Sequence, residues 1–444
     1  MFPSAPLLIN DGLTQPAFAE QSRNRRQWIM DQCDGPIVLC APNLGPNQMY
    51  PWASCYTPVY QDSYILFLTG INQLGIRIIL DPRTNKHCIF LPEYDQNKVF
   101  WDGDFFAVNE SKTESFLRSL GFTNIYPLKD FNEIIRSIGE ESPNWHLCLH
   151  QQKTDTKKDE SNALRTKLKR LFGTSFKYTN IANQTWEQRF THQKSAIECS
   201  IVAAEKTNTA FCNTLNQAPI ESETQLCGTL IGELLKQTPF GLSFSPIIAG
   251  NERAAILHYT NNSALLHPSD LVLMDFGLRW QSMCSDISRT IPVNGQYTDL
   301  QKRLVQLVLN TLEATIAMVK EGVSFNDLND FAWDFLEQQL HGDFFKKGGK
   351  VKRLYNKQPH NIGHLLGIQV HDGDSSREYK SKPLKPNSII TIEPGLYGTF
   401  EFNGETATYG IRIEDNLLVT KNGCQNLTSK IPKSIADIEA LLKH

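Results

Sequence analysis

The pattern of apolar and polar positions divides the chain into two blocks. In the first block, helical mixtures of charged and apolar residues alternate with short apolar runs. We predict helices over residues 20–33, 113–120 and 130–138, the last two ending at Gly121 and Gly139, and strands over residues 36–40, 76–80 and 88–91. This alternation predicts a mixed α/β domain over residues 1–180.

After residues 153–160, a segment of alternating charge that is typical of a solvated linker, we predict one more helix over residues 161–172, and a new pattern begins near residue 185. In this second block we predict helices over residues 194–215, 221–237 and 298–320, and strands over residues 242–249, 271–278, 286–293, 388–392 and 410–420. Thr298 and Gln301 have the spacing of a capping box, and Gly322 is the expected stop of that helix. The mixture predicts an α+β domain over residues 181–444.

Charge and composition exclude several classes of protein. The 444 residues carry 44 Lys and Arg against 47 Asp and Glu, so no basic field favours nucleic acid. No apolar stretch approaches the roughly 20 residues that cross a bilayer, and the start lacks a basic region before an apolar one. The ten cysteines form no CxxC pair and are expected to be reduced thiols. We therefore expect a cytoplasmic protein that binds neither nucleic acid nor membranes.

Two aspartates mark the first candidate site. If residues 271–290 form a hairpin turning at Trp280 and Gln281, Asp275 and Asp286 face each other directly, about 4.5–5.5 Å apart at Cβ. Like charges beside the apolar run LVLM call for a shared proton or a cation between them. The alternative is that both aspartates lie at exposed strand ends or form turns.

Further candidate ligands follow downstream. Glu393 ends an apolar strand, and Arg412 and Glu414 share one face of an alternating strand. His360 and His364 are four residues apart, but the intervening HNIGH lacks the glutamate of a HExxH zinc protease. Four carboxylates and one imidazole suit two hard divalent ions such as Mn, Mg, Fe or Co.

These residues lie in short sequence motifs that resemble those of one known family. DFG…SDISRT, GHLLGIQVHD, TIEPGLY and GIRIEDN, over roughly residues 190–444, are similar to the metal site of the creatinase/aminopeptidase P/methionine aminopeptidase family, the pita-bread enzymes. The resemblance implies an α+β pita-bread catalytic domain with two divalent ions, most often Mn²⁺, with Co²⁺ or Zn²⁺ as alternatives. In this resemblance Asp275 chelates one ion, His364 and Glu393 bind the other, and Asp286 and Glu414 bridge both. Arg412 supports Asp275 and Tyr397, and a structural role for Tyr397 stays equally open.

The first block resembles the accessory domain of aminopeptidase P and prolidase, in residues 60–70 and 101–103. This similarity argues against methionine aminopeptidase. It implies release of the N-terminal residue from peptides with proline in second position, with Glu393 as the proton acceptor and His258, His360 and His371 near the substrate. Prolidase, restricted to Xaa-Pro dipeptides, is the alternative, and a non-catalytic binding protein is a third. The resemblance also implies a homodimer or homotetramer.

Overall fold

The computed structural model describes residues 8–40, 61–142, 144–149, 160–217, 220–373 and 378–443. Contacts divide the chain into two compact units, Met1–Arg189 with Gly373–Arg377, and Phe190–Asp372 with Glu378–His444. We call them the N-terminal and the C-terminal unit. The change of unit follows Arg189, whereas the sequence pattern predicts a domain limit after residue 180. The segment predicted as a linker lies, apart from Glu160, outside the described residues.

The N-terminal unit contains a six-stranded mixed sheet with the strand order β4-β3-β2-β1-β5-β6. The strands are β1 (Ile37–Cys40), β2 (Arg77–Asp81), β3 (Lys86–Leu91), β4 (Asn124–Pro127), β5 (Asn144–Leu147) and β6 (Lys177–Asn180). The helices are α1 (Gln15–Met30), α2 (Ser63–Thr69), α3 (Gln96–Asp102), α4 (Ser111–Ser119), α5 (Phe131–Glu141), α6 (Glu160–Phe172) and α7 (Ala182–Glu187). The central strands β1, β2 and β3 are joined antiparallel, and β4, β5 and β6 are added in parallel.

Both faces of this sheet are buried, because its apolar residues alternate between two separate cores. Ile37 and Leu39 of β1 belong to one apolar cluster with residues of α1, α2 and α4. Val38 belongs to the other cluster, with residues of α5 and α6. The helices on the two faces therefore complete the α/β layers that the sequence predicts.

The glycines at the ends of predicted helices behave differently. Gly121 adopts a left-handed φ of 89° shortly after α4, as expected for a helix stop. The prediction that Gly139 ends a helix is wrong, because α5 continues to Glu141. A Cβ at Gly139 would lie 2.2 Å from the Phe172 ring, so this glycine makes room for packing against α6.

The C-terminal unit combines long helices with antiparallel sheets. Its helices are α8 (Lys194–Leu215), α9 (Glu223–Gln237), α10 (Asp299–Met318), α11 (Phe325–Gln339) and α12 (Ile435–Leu441). Its strands are β7 (Ile247–Gly250), β8 (Leu271–Phe276), β9 (Arg279–Trp280), β10 (Met283–Cys284), β11 (Ile287–Pro292), β12 (Lys350–Arg353), β13 (Ile389–Ile392), β14 (Gly395–Phe402), β15 (Glu405–Arg412), β16 (Asp415–Thr420) and β17 (Gly423–Asn426). They form the sheets β11-β8-β7, β12-β14-β15 and β13-β16-β17 and the short hairpin β9-β10.

The helix predictions for this unit are largely confirmed. α8 has the predicted bounds, and Thr298 and Gln301 form the capping box at the start of α10. α10 ends at Met318, four residues before Gly322, which has a left-handed φ of 88°. No described helix is both long and apolar enough to span a bilayer.

Candidate active site

The first two candidate ligands lie on the antiparallel strands β8 and β11, but not in the predicted register. Asp275 pairs with Ser288, and Asp286 immediately precedes β11, two positions away from that pair. The prediction of directly opposed aspartates is therefore wrong. The turn falls at Gln281 and Ser282, one residue later than predicted, with Gln281 at a φ of 53°. Because a shift of two residues preserves the side-chain face, both aspartates still point to the same side.

Glu414 reaches the same region from a break between two strands. The predicted continuous strand over residues 410–420 is wrong, because β15 ends at Arg412 and β16, in another sheet, begins at Asp415. The Glu414 backbone N–H donates to the Ser288 carbonyl at 3.1 Å. The Ser288 hydroxyl donates to the Glu414 carboxylate at 2.9 Å. Since Ser288 is also the strand partner of Asp275, its two bonds to Glu414 bring Glu414 close to Asp275.

His364 and Glu393 approach from β13 and the segment beside it. Glu393 directly follows β13, and His364 lies in an irregular segment, outside any helix. The His364 backbone bonds on both sides to Thr391 of β13. A Cβ at Gly363 would lie 2.0 Å from the Thr391 carbonyl oxygen, so only glycine allows this close approach. Gly363, the first residue of the motif GHLLG, therefore determines where the His364 ring lies.

The five predicted ligands converge. One ligand atom from each of Asp286, His364 and Glu414 lies within 4.8 Å of the others, and all three residues are buried. The His364 Nε2 atom is 3.4 Å from Asp286 Oδ2 and 3.7 Å from Glu393 Oε1. Asp275 is close enough to Asp286 for the second carboxylate to raise its pKa. The cluster thus brings together groups from four segments of the chain.

Burial raises the proton affinity of three carboxylates of this cluster, those of Asp275, Glu393 and Glu414. Desolvation raises the pKa of Asp275 to about 7, although the Arg412 charge opposes the shift. Desolvation likewise raises the pKa of Glu393 to about 7 and that of Glu414 well above its usual value. The neighbouring carboxylates raise the pKa of His364 to about 9, against the effect of its burial. Positive charge is therefore needed to keep these oxygens deprotonated near neutrality.

The donor atoms fit divalent cations. The buried Asp275 Oδ1 and Glu414 Oε1 atoms have no hydrogen-bond partner among the described residues. The His364 Nδ1 atom lies 3.1 Å from the Leu365 carbonyl oxygen, which can only accept. Nδ1 must then carry the proton, which leaves the Nε2 lone pair facing the carboxylates when the ring is neutral. Oxygen donors with one imidazole suit a hard divalent transition ion.

Arg412 connects this cluster to its surroundings. Its buried guanidinium donates to Asp275 Oδ2 at 2.7 Å, to the Ser288 hydroxyl at 2.9 Å and to the Tyr397 hydroxyl at 3.2 Å. Burial raises the pKa of Tyr397 to about 12, so the phenol stays neutral. Arg412 thus holds Asp275 in place and continues a chain of hydrogen bonds outward through Tyr397.

The three candidate substrate histidines lie around the cluster. His360 is 2.9 Å from the Tyr397 hydroxyl and, at Nδ1, 3.9 Å from Glu393 Oε2. Burial and the Arg412 charge lower the pKa of His360 to about 4, so its ring is neutral. The exposed His371 ring is tilted by 58° relative to the His364 ring, with 4.3 Å between the two centroids. His258 is also exposed, and it is close enough to His360 to contribute to the lowering of the His360 pKa.

Sequence reasoning missed several supporting residues. Ser288 alternates with Asp286 on one strand face, a signal that could have identified it. Asn416 accepts from the Asp286 N–H at 3.1 Å, and it follows Glu414 in the word EDN. Trp333 packs edge-on against His360 at 5.3 Å from the distant helix α11, and no local pattern indicates that contact.

A buried cluster of this composition on an α+β unit is typical of a metal-dependent hydrolase. Residues 198–421 match metallopeptidase family M24, and residues 22–147 match the aminopeptidase P N-terminal domain. The chain therefore belongs to metallopeptidase family M24, and the predicted two-domain fold class is confirmed.

Relatives cover nearly the whole chain. It is 30% identical to mitochondrial intermediate cleaving peptidase 55 of Arabidopsis thaliana, over 99% of this chain and 86% of that protein. It is 27% identical to Xaa-Pro aminopeptidase 3 of Mus musculus, over 98% of this chain and 87% of that protein. A solved structure of a putative aminopeptidase P from Bacillus anthracis has a TM-score of 0.81 at 24% identity and covers 97% of this chain and 99% of that one. At that identity, the solved structure supports the fold alone.

Proposed function

We propose that the protein is an Xaa-Pro aminopeptidase, which releases the N-terminal residue from peptides whose second residue is proline. Membership of family M24 and the aminopeptidase P N-terminal domain support this activity, as do relatives named Xaa-Pro aminopeptidase. The observation that carries the proposal is the convergence of five metal-ligand candidates, three of them within 4.8 Å. Three histidines beside them supply substrate contacts.

The five candidates divide between two ions in the proposal. Asp275 would hold one ion and His364 with Glu393 the other, while Asp286 and Glu414 would lie between them. The four carboxylates favour Mn²⁺ over softer ions, and the imidazole favours a transition ion over Ca²⁺. When bound, the ions supply positive charge that polarises a carbonyl and acidifies water.

The chain's own residues carry the remaining chemistry. Glu393, next to His364 and His360, accepts a proton from the attacking water and delivers it to the proline nitrogen. That nitrogen has no hydrogen before cleavage, so the departing proline must receive one. His371 and His258, both exposed beside the cluster, stabilise the developing negative charge or hold the peptide.

His360 has a defined tautomer on the proline side of the cleft. Its Nδ1 atom lies 2.8 Å from the Asn361 carbonyl and must donate to it. Its Nε2 atom therefore accepts from the Tyr397 hydroxyl, which in turn accepts from Arg412. This chain fixes the orientation of a neutral ring against the ring of proline.

A peptide series tests the activity. Purified protein is stripped of metal, supplied with Mn, Co or Zn, and offered Xaa-Pro-Xaa, Xaa-Pro and Xaa-Ala-Xaa. Cleavage of Xaa-Pro-Xaa, fastest with Mn, is the expected result. Cleavage of the dipeptide alone would instead identify a prolidase, and no cleavage with no metal uptake would identify a binding protein.

The Arabidopsis relative supports a second candidate. Its name describes a peptidase that cleaves intermediates, and it has the highest identity among the relatives reported above. Cleavage of Xaa-Ala-Xaa as fast as Xaa-Pro-Xaa would favour that activity over proline specificity.

Cellular location and assembly complete the proposal. We infer a cytoplasmic protein, because its ten cysteines are spread along the chain without a CxxC pair, a pattern typical of reduced thiols. We infer a homodimer or homotetramer, because Phe100 and Trp101 of the N-terminal unit are each 80% exposed. Light scattering of the full chain tests the assembly, and a monomer would reject it.

A further inference from the structure

One catalytic candidate, His258, stands on a loop whose conformation is fixed from within. Residues 250–264, which we call the His258 loop, run from the last residue of β7 towards β8. His258 is exposed on this loop, whereas the adjacent Tyr259 is buried. The position of the His258 imidazole therefore depends on the buried contacts that fix the conformation of the loop.

The carboxylate of Glu223 holds it. This residue lies in the first turn of α9 and is fully buried. One oxygen accepts from the Gly250 N–H at 2.9 Å and the Arg253 Nε–H at 2.7 Å. The other accepts from the Tyr259 hydroxyl at 2.8 Å and the Ala264 N–H at 2.9 Å. All four donors belong to the His258 loop, at both of its ends and in its middle.

These bonds keep the buried carboxylate charged. Burial alone would raise the pKa of Glu223, but Arg253 and the two backbone amides more than offset that effect and hold the pKa below its usual value. The donors to this buried charge within the described ranges all belong to the loop, so a loop conformation that removes them leaves the charge unpaired and is strongly disfavoured.

The His258 loop is also connected to the active site through Tyr355. The Tyr355 hydroxyl donates to the Ala255 carbonyl of the loop. The Tyr355 ring packs edge-on against the Tyr397 ring, 6.0 Å between centroids. Tyr397 is the hydrogen-bond partner of His360. A shift of the His258 loop would therefore disturb contacts on the side of the cleft that carries His360.

We propose that Glu223 is a positioning residue for the peptidase reaction, which acts by fixing His258 at the cleft through the four hydrogen bonds to its loop. This role rests on the proposed function. It predicts that replacement of Glu223 lowers activity through His258 rather than through general loss of structure.

Glu233 provides a matched control on the same helix. It is also buried, and its carboxylate accepts from Asn213 at 3.1 Å, Gln217 at 2.9 Å and Lys236 at 2.6 Å, none of them in the His258 loop. E223Q and E233Q are compared by hydrogen–deuterium exchange over residues 250–264, without substrate. Faster exchange in E223Q alone is expected, and equal exchange in the two variants would overturn the proposal.

A double-mutant cycle with H258A then tests the route of the effect. On Xaa-Pro-Xaa with Mn, E223Q should lower kcat/KM about ten- to a hundredfold, the scale of a small misplacement of a reacting group. The loss should nearly vanish when His258 is already alanine, at unchanged metal content. Additive losses in E223Q/H258A, or an equal loss in E233Q, would overturn the positioning role.

Two further comparisons keep the outcomes distinct. If E223Q does not fold, Y259F removes only one of the four donors and should show the same dependence on His258, with a smaller loss. An additive Y259F loss would overturn the proposal. An inactive wild-type protein would reject the proposed function together with this role, whereas an active one with additive losses rejects the role alone.

Discussion

At the scale of single residues, three buried guanidinium groups are stabilised in different ways. Arg412 pairs with Asp275 at 2.7 Å, and Arg289 pairs with the fully buried Asp415 at 2.9 Å. Arg26 instead donates to the Ser22 hydroxyl, to backbone carbonyls and to the ring nitrogen of His87, and it packs over Phe122. A cation held by neutral acceptors makes the protonation state of His87 critical.

His87 predicts a pH dependence of stability. Its Nδ1 atom accepts from Arg26 Nε at 3.0 Å, and burial with the Arg26 charge lowers the pKa of His87 from 6.5 to about 4. The folded state then binds fewer protons than the unfolded state, so stability falls as pH drops from 6.5 towards 4. A shift of this size corresponds to a loss on the order of 3 kcal/mol, measured by calorimetric unfolding over that range.

The variant H87N isolates this effect from other titrations. Its amide oxygen can accept from Arg26 but does not titrate. The free energy of unfolding is measured as a function of pH for both proteins. The difference between the two profiles should equal the contribution of His87. Parallel profiles for the two proteins would contradict the assignment.

At the scale of elements, close backbone approaches set the positions of the ligands. In G363A the new methyl carbon would meet the Thr391 carbonyl at 2.0 Å, so the segment before His364 must separate from β13. We expect a loss of about 1–3 kcal/mol in the free energy of unfolding and weaker metal binding. Chemical denaturation and calorimetric titration with Mn measure the two effects.

Gly342 offers the control for this substitution. A Cβ there would meet nothing within 4 Å, and its φ is not left-handed. G342A should change stability by less than about 0.5 kcal/mol and leave metal binding unchanged. Equal behaviour of the two variants would show that the approach to Thr391 does not place His364.

The same scale explains what the sequence could and could not predict. α8 and the Thr298 capping box follow from local patterns and were found. The hairpin register was missed, because the left-handed conformation of Gln281 moves the turn by one residue. The alternation of apolar and polar residues continues through Glu414, although the chain passes there from β15 in one sheet to β16 in another. The pattern therefore does not reveal where the first strand ends. The bonds from Glu223 to the His258 loop join distant segments and leave no local pattern.

At the scale of the whole molecule, metal binding should appear as stability. Ions that bind only the folded chain stabilise it by about 2.7 kcal/mol at a hundredfold excess over Kd. We expect Mn to raise the unfolding temperature of the wild-type protein in scanning calorimetry, and a chelator to reverse the rise.

Variants of the central ligands test the origin of that stabilisation. D286A and E414A remove two of the three groups that lie within 4.8 Å, and neither should respond to Mn. A normal upward shift in either variant would mean that the ions bind elsewhere.

The spacing of the ligands along the chain also bears on which ion the protein acquires in the cell. Glu414 is hydrogen-bonded at the centre of the site to Ser288, 126 positions away and two residues after Asp286, so the full set of ligands comes together only when the chain has collapsed. Discrimination against a tightly binding ion such as copper then depends on the rigid, oxygen-rich site of the folded chain rather than on intrinsic affinity.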